Sequence, residues 1–446
     1  MPTVTADVTA PVQPLGRRFT ALLGSTAAAN LADGIVQAAA PLYALTLTRS
    51  PGQIGLLTAA AWLPWLLLGT HAGLLVDRTD RRQVQAYALL ARVVMLTAAA
   101  GLAVTGSLTM TALVVLLLAY GVTDVLVDLA ESALVPDLVP RSRLAAANGR
   151  IVAAQQVAGS FIGAPLAGLL LAVGAGWVFG TPALIAGIAV VVLAVGVRGR
   201  YRATSDAGTG APPDDPPGGP GPGSTPRHRI TRDLREGLSV LFGHPVLRPL
   251  LVAGSVSNMC FTAYTTMLVL WVVGPGSRVA LSAELYPLLT TVMAVGALAG
   301  SVVVEPVVRQ FGEVRTMLTG WVAMPLLLLV PVIAPHPVAI AGALGLIGIA
   351  STGSNVLSQS LRQRLVPRRL LGRVGGASRA IGFGLMPVGA LLGGAVAERA
   401  GVGTALTAAA LVALLALSYP LVTVRQRMVN DPDKPDDPAD PQPSRS

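Results

Sequence analysis

Five ionisable side chains, Asp33, Arg92, Asp124, Asp128 and Glu131, fall inside long apolar runs of the chain. A charge placed in a membrane-spanning segment is costly, faces a partner or a watery path, and marks ion or proton traffic by default. Asp33 lies about 14 residues into the first run (19–42), roughly 21 Å deep at about 1.5 Å per residue. Asn30, Asp33 and Gln37 are spaced i, i+3 and i+7, forming one polar stripe. Asp124, Asp128 and Glu131 also share a helix face, in the fourth run (108–134). Counted back from Leu134, Asp124 is roughly 15 Å deep and Asp128 roughly 9 Å, while Arg92 in the third run (84–106) reaches roughly 12 Å. These depths allow an Arg92–Asp128 or an Arg92–Asp124 pair. Asp33 and Asp124 have no evident partner in the sequence and are favoured as proton carriers. Burial and a nearby arginine act on a carboxylate in opposite directions, so such an acid can be tuned to load and release protons near neutral pH. The plainer alternative is a static Arg92–Asp128 salt bridge joining the third and fourth runs. Glu131, closer to the interface, is expected to pair with Arg81 or Arg82.

The elements that position these groups follow from composition. The 446 residues are 53% hydrophobic and only 12% charged, with a mean hydropathy of +0.66. Soluble domains carry about 25% charged residues. Only helices and closed barrels satisfy their backbone in lipid, and barrel strands are short and alternating. Long, continuous Leu/Val/Ala blocks therefore predict an all-α polytopic membrane protein with twelve transmembrane helices in two six-helix bundles. The expected organisation is a tail (1–18), a first bundle (19–197), a Pro/Gly-rich linker (198–247), a second bundle (248–424) and a disordered acidic tail (425–446). Within the linker, TRDLREGLSVLF (231–242) places Leu234, Leu238 and Leu241 on one face, with Thr231 as N-cap. That predicts a short amphipathic helix lying on the membrane surface.

The net charge of +10 is explained by topology rather than by nucleic acid. Among 32 basic residues, Arg49, Arg278 and Arg399 fall in the loops assigned outside and Arg92 in a span; the rest cluster in alternate loops and tails. That bias orients both termini to the cytoplasm, and the use of Arg for every basic residue except Lys434 reads as a bacterial coding bias, so a bacterial inner-membrane location is expected. Cys260 is the one cysteine, and His71 and His244 stand alone, so neither a disulfide nor a metal site is expected.

The two halves echo each other. LVPDLVPRSRLAAANG after the fourth span parallels LRQRLVPRRLLGRVGG after the tenth, and each precedes a Pro/Gly-rich span. Residues 73–83, GLLVDRTDRRQ, set Gly73, Asp77, Arg78, Arg81 and Arg82 in a tight charged hairpin. This hairpin resembles the loop between helices 2 and 3 of major facilitator superfamily transporters, with Asp80 where that family favours glycine. The phrases NLADGIVQAAAPLYAL, LVPDLVP and RLVPRRLLGRVGG resemble the branch holding bacterial macrolide and enterobactin exporters. The resemblance implies proton-driven export with no cofactor beyond the proton gradient. It also implies a central cavity lined by spans 1, 4, 7 and 10, and a gate in which Asp77 meets the start of span 11 near Arg373–Ser378. Gly159, Gly163, Pro165 and Gly168 in span 5 are similar to the hinge signature of exporting antiporters, with Ala164 where many members have glycine.

For the solute, Asn30, Gln37, Asn258, Ser351, Asn355 and Gln359 offer polar anchors, and Trp62 and Tyr264 aromatic surface. An apolar cavity with few polar groups suits an amphipathic organic molecule such as an antibiotic, secondary metabolite or siderophore. The expected partners are that solute and the bilayer, with the chain acting as a monomer and binding no nucleic acid. Two alternatives stay open: an uptake carrier for a small polar solute, and a membrane prenyltransferase, whose diphosphate motif Asp124-x-x-x-Asp128 half resembles. The second acidic motif that such an enzyme needs is missing from the sequence, and no Walker lysine is present.

Overall fold

The computed structural model describes residues 15–202, 226–366 and 370–424. The linker's Pro/Gly core and the acidic tail expected to be disordered lie outside the described residues. The helices are α1 (Arg17–Leu47), α2 (Pro51–Arg78), α3 (Arg81–Val104), α4 (Met110–Leu138), α5 (Leu144–Gln156), α6 (Ala164–Val173), α7 (Ala175–Gly196) and α8 (Pro226–Gly243). Then come α9 (Leu247–Val272), α10 (Tyr286–Phe311), α11 (Glu313–Leu328), α12 (Val330–Ile333), α13 (Pro337–Leu365), α14 (Leu371–Gly384), α15 (Met386–Ala400) and α16 (Val402–Thr423). Among the described residues, twelve segments are long and apolar enough to cross a bilayer, and the protein is a multi-pass membrane protein. Large side chains such as Val94, Leu169, Leu184, Val302 and Leu415 point outward, as a lipid-facing surface requires.

Helix ends extend past the apolar runs, and polar side chains cap some of them. The first span begins at Arg17 and runs to Leu47, longer at both ends than the expected 19–42. Ser50 caps α2, its hydroxyl accepting from the Gln53 N–H ahead of Pro51. Asp80 is buried and caps α3, its carboxylate accepting from the Arg82 and Gln83 N–H groups. A glycine at that position could not satisfy those two orphan donors, so the departure from the family pattern has a local reason.

Helices α1–α7 form one bundle, with α1 and α3 against α7 and α2 against α4; α9–α16 form the other, with α10 against α13 and α9 against α16. The bundles meet where α2 packs along α14 and α15 and where α6 meets α10. The fifth and eleventh spans, related by the sequence repeat, are both broken at proline. In the fifth, residues Val157–Gly163 form a π-helical turn between α5 and α6. Pro165 has no N–H for the Phe161 carbonyl and its ring crowds that carbonyl, so the turn widens. In the eleventh, α14 stops before Leu385 and α15 restarts with Pro387 in its first turn.

The linker helix differs from expectation in two ways. It begins at Pro226, so Thr231 lies inside it and is not its N-cap. Its apolar face is also not left to the membrane surface. Leu241 is fully buried with Leu247, Val366, Leu370, Val374 and Ala377, and Leu238 packs beside them. The helix therefore docks on α14.

Candidate functional site

The centre of the first bundle holds a guanidinium between two carboxylates. Arg92, on α3, is fully buried. Its Nη1 donates to Asp33 Oδ1 on α1 at 2.6 Å, and its Nη2 to Asp124 Oδ1 on α4 at 2.9 Å. Its Nε donates to Thr123 Oγ1 at 3.0 Å, and its Cζ lies 4.6 Å from the centroid of the Tyr120 ring. The Tyr120 hydroxyl donates to Asp33 Oδ1, and Trp65 Nε1 on α2 donates to Asp124 Oδ2 at 3.1 Å. Four helices thus converge on one charge cluster. The Asp33 side chain is 11% exposed and that of Asp124 32%, so Asp124 is the member that meets solvent.

This arrangement corrects three expectations. Asp124 pairs with Arg92, one of the two pairings the depths allowed, and Asp33, read as lacking a partner, shares the same guanidinium. Asp128 is not the partner of Arg92; it is exposed toward the other bundle, where Arg379 on α14 attracts it. Asp124 and Asp128 differ by about 40° around the helix and about 6 Å along it, enough to send one inward and the other across the cleft. Glu131 does not reach Arg81 or Arg82. It is buried, accepts from Thr26 Oγ1 at 2.6 Å and from Gln155 Nε2 at 3.3 Å, and so has neutral donors only among the described residues. Arg81 instead pairs with Asp137 at 2.7 Å, and Arg82 donates to the Ala194 carbonyl at 2.9 Å.

Of the gate loop, Arg78 is exposed; the side chains of Gly73, Asp77 and Arg373 lie outside the described residues. The polar stripe of α1 divides. Asn30 bonds its own helix through the Thr26 carbonyl at 3.0 Å, whereas Gln37 lines a cavity of about 260 Å³ between the bundles. Trp62, Trp65, Tyr120, Asp124 and Tyr286 line that cavity too. Trp62 and Trp65 meet Phe383 of the second bundle at ring separations of 6.3 and 5.8 Å. A larger cavity of about 540 Å³ lies in the second bundle and takes in Asn258, Ser351, Asn355 and Gln359. Tyr264 lines neither of these two cavities; it is buried in the core, and Tyr286 takes its expected place.

The glycines of span 5 serve close approach. A side chain at Gly34 would stand 2.2 Å from the Gly159 carbonyl oxygen, and Gly163 sits against the Leu31 carbonyl and Gly34. At the far end, a side chain at Gly168 would collide with the Glu284 carbonyl at 2.2 Å, joining α6 to the loop before α10. On that same face, opposite the chain ends, the bundles are tied by polar contacts the sequence did not suggest. Arg49 Nη1 donates to the Val273 carbonyl at 3.1 Å. Glu398 Oε2 accepts from Ser50 Oγ at 3.1 Å and from the Gly52 N–H at 2.9 Å, a carboxylate on the N-terminus of α2 where the helix dipole favours it. The structure is closed on this face.

Outside the membrane spans, His244 joins α8 to α9. Its Nδ1 accepts from the Val246 and Leu247 N–H groups at 3.1 and 3.3 Å, and burial pushes its pKa below the usual imidazole value.

Residues 22–283 and 276–446 match the family model described as Major Facilitator Superfamily. Among curated proteins, none matches the chain. The fold is similar to that of a point mutant of the nucleoside transporter NupG, with a TM-score of 0.69 at 12% identity over 92% of this chain and 100% of that one. It is similar to a bacterial homologue of the iron transporter ferroportin in an inward-facing state, with a TM-score of 0.67 at 16% identity over 93% and 100%. It also resembles the human organic anion transporter MFSD10 (TETRAN), with a TM-score of 0.61 at 16% identity over 92% and 100%.

Proposed function

The chain belongs to the major facilitator superfamily, and on that premise we propose that it is a proton-coupled exporter of a small amphipathic organic molecule such as an antibiotic, secondary metabolite or siderophore. The observation that carries this reading is the pair of carboxylates on one buried guanidinium. With both acids ionised the set carries one net negative charge in a low-dielectric interior; one proton makes it neutral. Uncompensated charge there is costly, so the cluster has a seat for a single proton. Asp124, facing the cavity between the bundles, is the entry point, and Asp33 holds the other arm of Arg92. Protonation of either acid frees one guanidinium arm and loosens the link from α3 to α1 or α4.

Such a step is a local event that a rocking bundle can read out. Gly159, Gly163, Pro165 and Gly168 are the proposed hinge, because the π turn and the backbone contact with α1 both fall there. Asp77, Arg78, Arg81 and Arg82 are the proposed gate on the face bearing the chain ends. The positive-inside bias supports a cytoplasmic location for that face in a bacterial inner membrane, with the protein working as a monomer and without a cofactor. The hinge signature favours export over uptake.

The test uses everted membrane vesicles and a pH-sensitive dye. The wild-type protein should release protons from energised vesicles when its solute is added, and Asp33→Asn should abolish that release while the protein stays folded in detergent. Proton-coupled export that survives Asp33→Asn rules Asp33 out as a carrier; solute entry coupled to protons in right-side-out cells instead establishes uptake.

A further inference from the structure

The larger cavity says more about the solute than its size. It runs between α9, α11, α13 and α14 and extends to Leu241, Leu247 and Arg362 at the helix ends on the side of the linker helix. Two arginines line it, Arg362 and Arg379, and no aspartate or glutamate does so among the described residues. The two guanidinium groups therefore share one cavity. Among the described residues, Arg362 is occupied only by the neutral side chain of Gln359. Arg379 makes no hydrogen bond or ion pair among the described residues; its counter-charge is Asp128, across the cleft on α4. Beside it the Ser378 hydroxyl is buried, 9% exposed, with no hydrogen-bond partner among the described residues. Buried hydroxyls are normally satisfied, and this one lines the cavity.

Resting on the transport reading above, we propose that the solute is an organic anion, a carboxylate, sulfonate or phosphate on an apolar body, whose acidic group sits on Arg379 and Arg362 with Ser378 as a third donor. Guanidinium groups recognise such oxyanions bidentately. An arriving anion supplies the close counter-charge that Asp128 provides only from a distance. The rest of the cavity suits the apolar body: Phe261, Trp321, Met324 and Phe383 form its walls. A cationic solute of the same shape would meet two positive charges and no lining acid. The proposal therefore sets aside basic amphipathic drugs and keeps acidic metabolites and chelators.

The potential in the cavity can be read without knowing the natural solute. In a Cys260→Ser background, Ser358→Cys places one thiol on the cavity wall. The full-length protein is reconstituted in phosphatidylcholine bilayers, so that no anionic lipid headgroup can fill the site. Anionic and cationic methanethiosulfonate reagents are then compared, each relative to its rate with free cysteine. The anionic reagent should be favoured by roughly tenfold, the scale expected for fixed charges in a partly wet site. Arg362→Gln with Arg379→Gln should bring the ratio back to that of free cysteine, and Arg379→Lys should keep it. Fluorescein should slow the labelling, whereas rhodamine 123, with the same ring system and opposite charge, should not. A ratio at or below that of free cysteine, or any other pattern of protection by the two dyes, overturns the anion site. The proton-release assay with Asp33→Asn is independent of these readouts, so an anion site can fail while proton-coupled export stands.

Discussion

Arg92 is held by three kinds of force at once: two charge-assisted hydrogen bonds, one neutral one to Thr123, and the face of Tyr120. Removing it leaves two carboxylates facing each other without a cation. Arg92→Gln should destabilise the protein by about 3–5 kcal/mol, the usual loss when a buried pair is broken, and toward the lower end because Asp124 is one-third exposed. Thermal unfolding in detergent checks this, and a change within error of zero would refute the idea that the cluster is tightly held. The sequence singled out all three residues as unusual. It offered Arg92–Asp124 as one of two pairings but did not give Asp33 to Arg92, because those two are 59 residues apart and depth counted from uncertain span ends cannot tell which face of a helix meets which neighbour. Glu131 shows the same limit: its interface position suggested an arginine partner, while the fold turned it toward Thr26 and Gln155.

Local chemistry decided the helix ends. Asp80 and Ser50 cap as their residue types suggest, and Pro165 and Pro387 break the spans in which they stand. His244 was read as an isolated histidine; its role as the cap of α9 is visible only once α8 has turned back onto α14. Because its pKa is lowered in the folded protein, the unfolded chain binds the proton more readily. The stability His244 contributes is therefore full above the ordinary value of 6.5 and is lost as the pH falls toward the lowered one. His244→Ala should lower stability by about 1 kcal/mol at pH 8, the typical worth of a cap, and by less at pH 5. Melting curves at the two pH values check the sign; an equal loss at both would show that the imidazole does not act through its neutral form.

At the scale of the whole molecule, the two bundles touch on the face opposite the chain ends through Arg49, Glu398 and the Gly168–Glu284 contact. If that face must open for transport, a covalent link across it stops the cycle. Ser50→Cys with Glu398→Cys, in the Cys260→Ser background, should lose transport on oxidation and regain it on reduction; transport by the fully crosslinked protein would mean that this face does not part. The sequence by itself determined the class of fold, because twelve long apolar runs leave a chain no other way to satisfy its backbone in lipid. It also determined which side chains were out of place there. Only the tertiary structure decided how those side chains are grouped: which acids share Arg92, that Asp128 faces Arg379, and that two arginines line one cavity without an acid. The physical reason is that apolarity is summed along one segment, whereas an ion pair depends on the relative rotation of helices distant in the chain, which packing of every neighbour sets together.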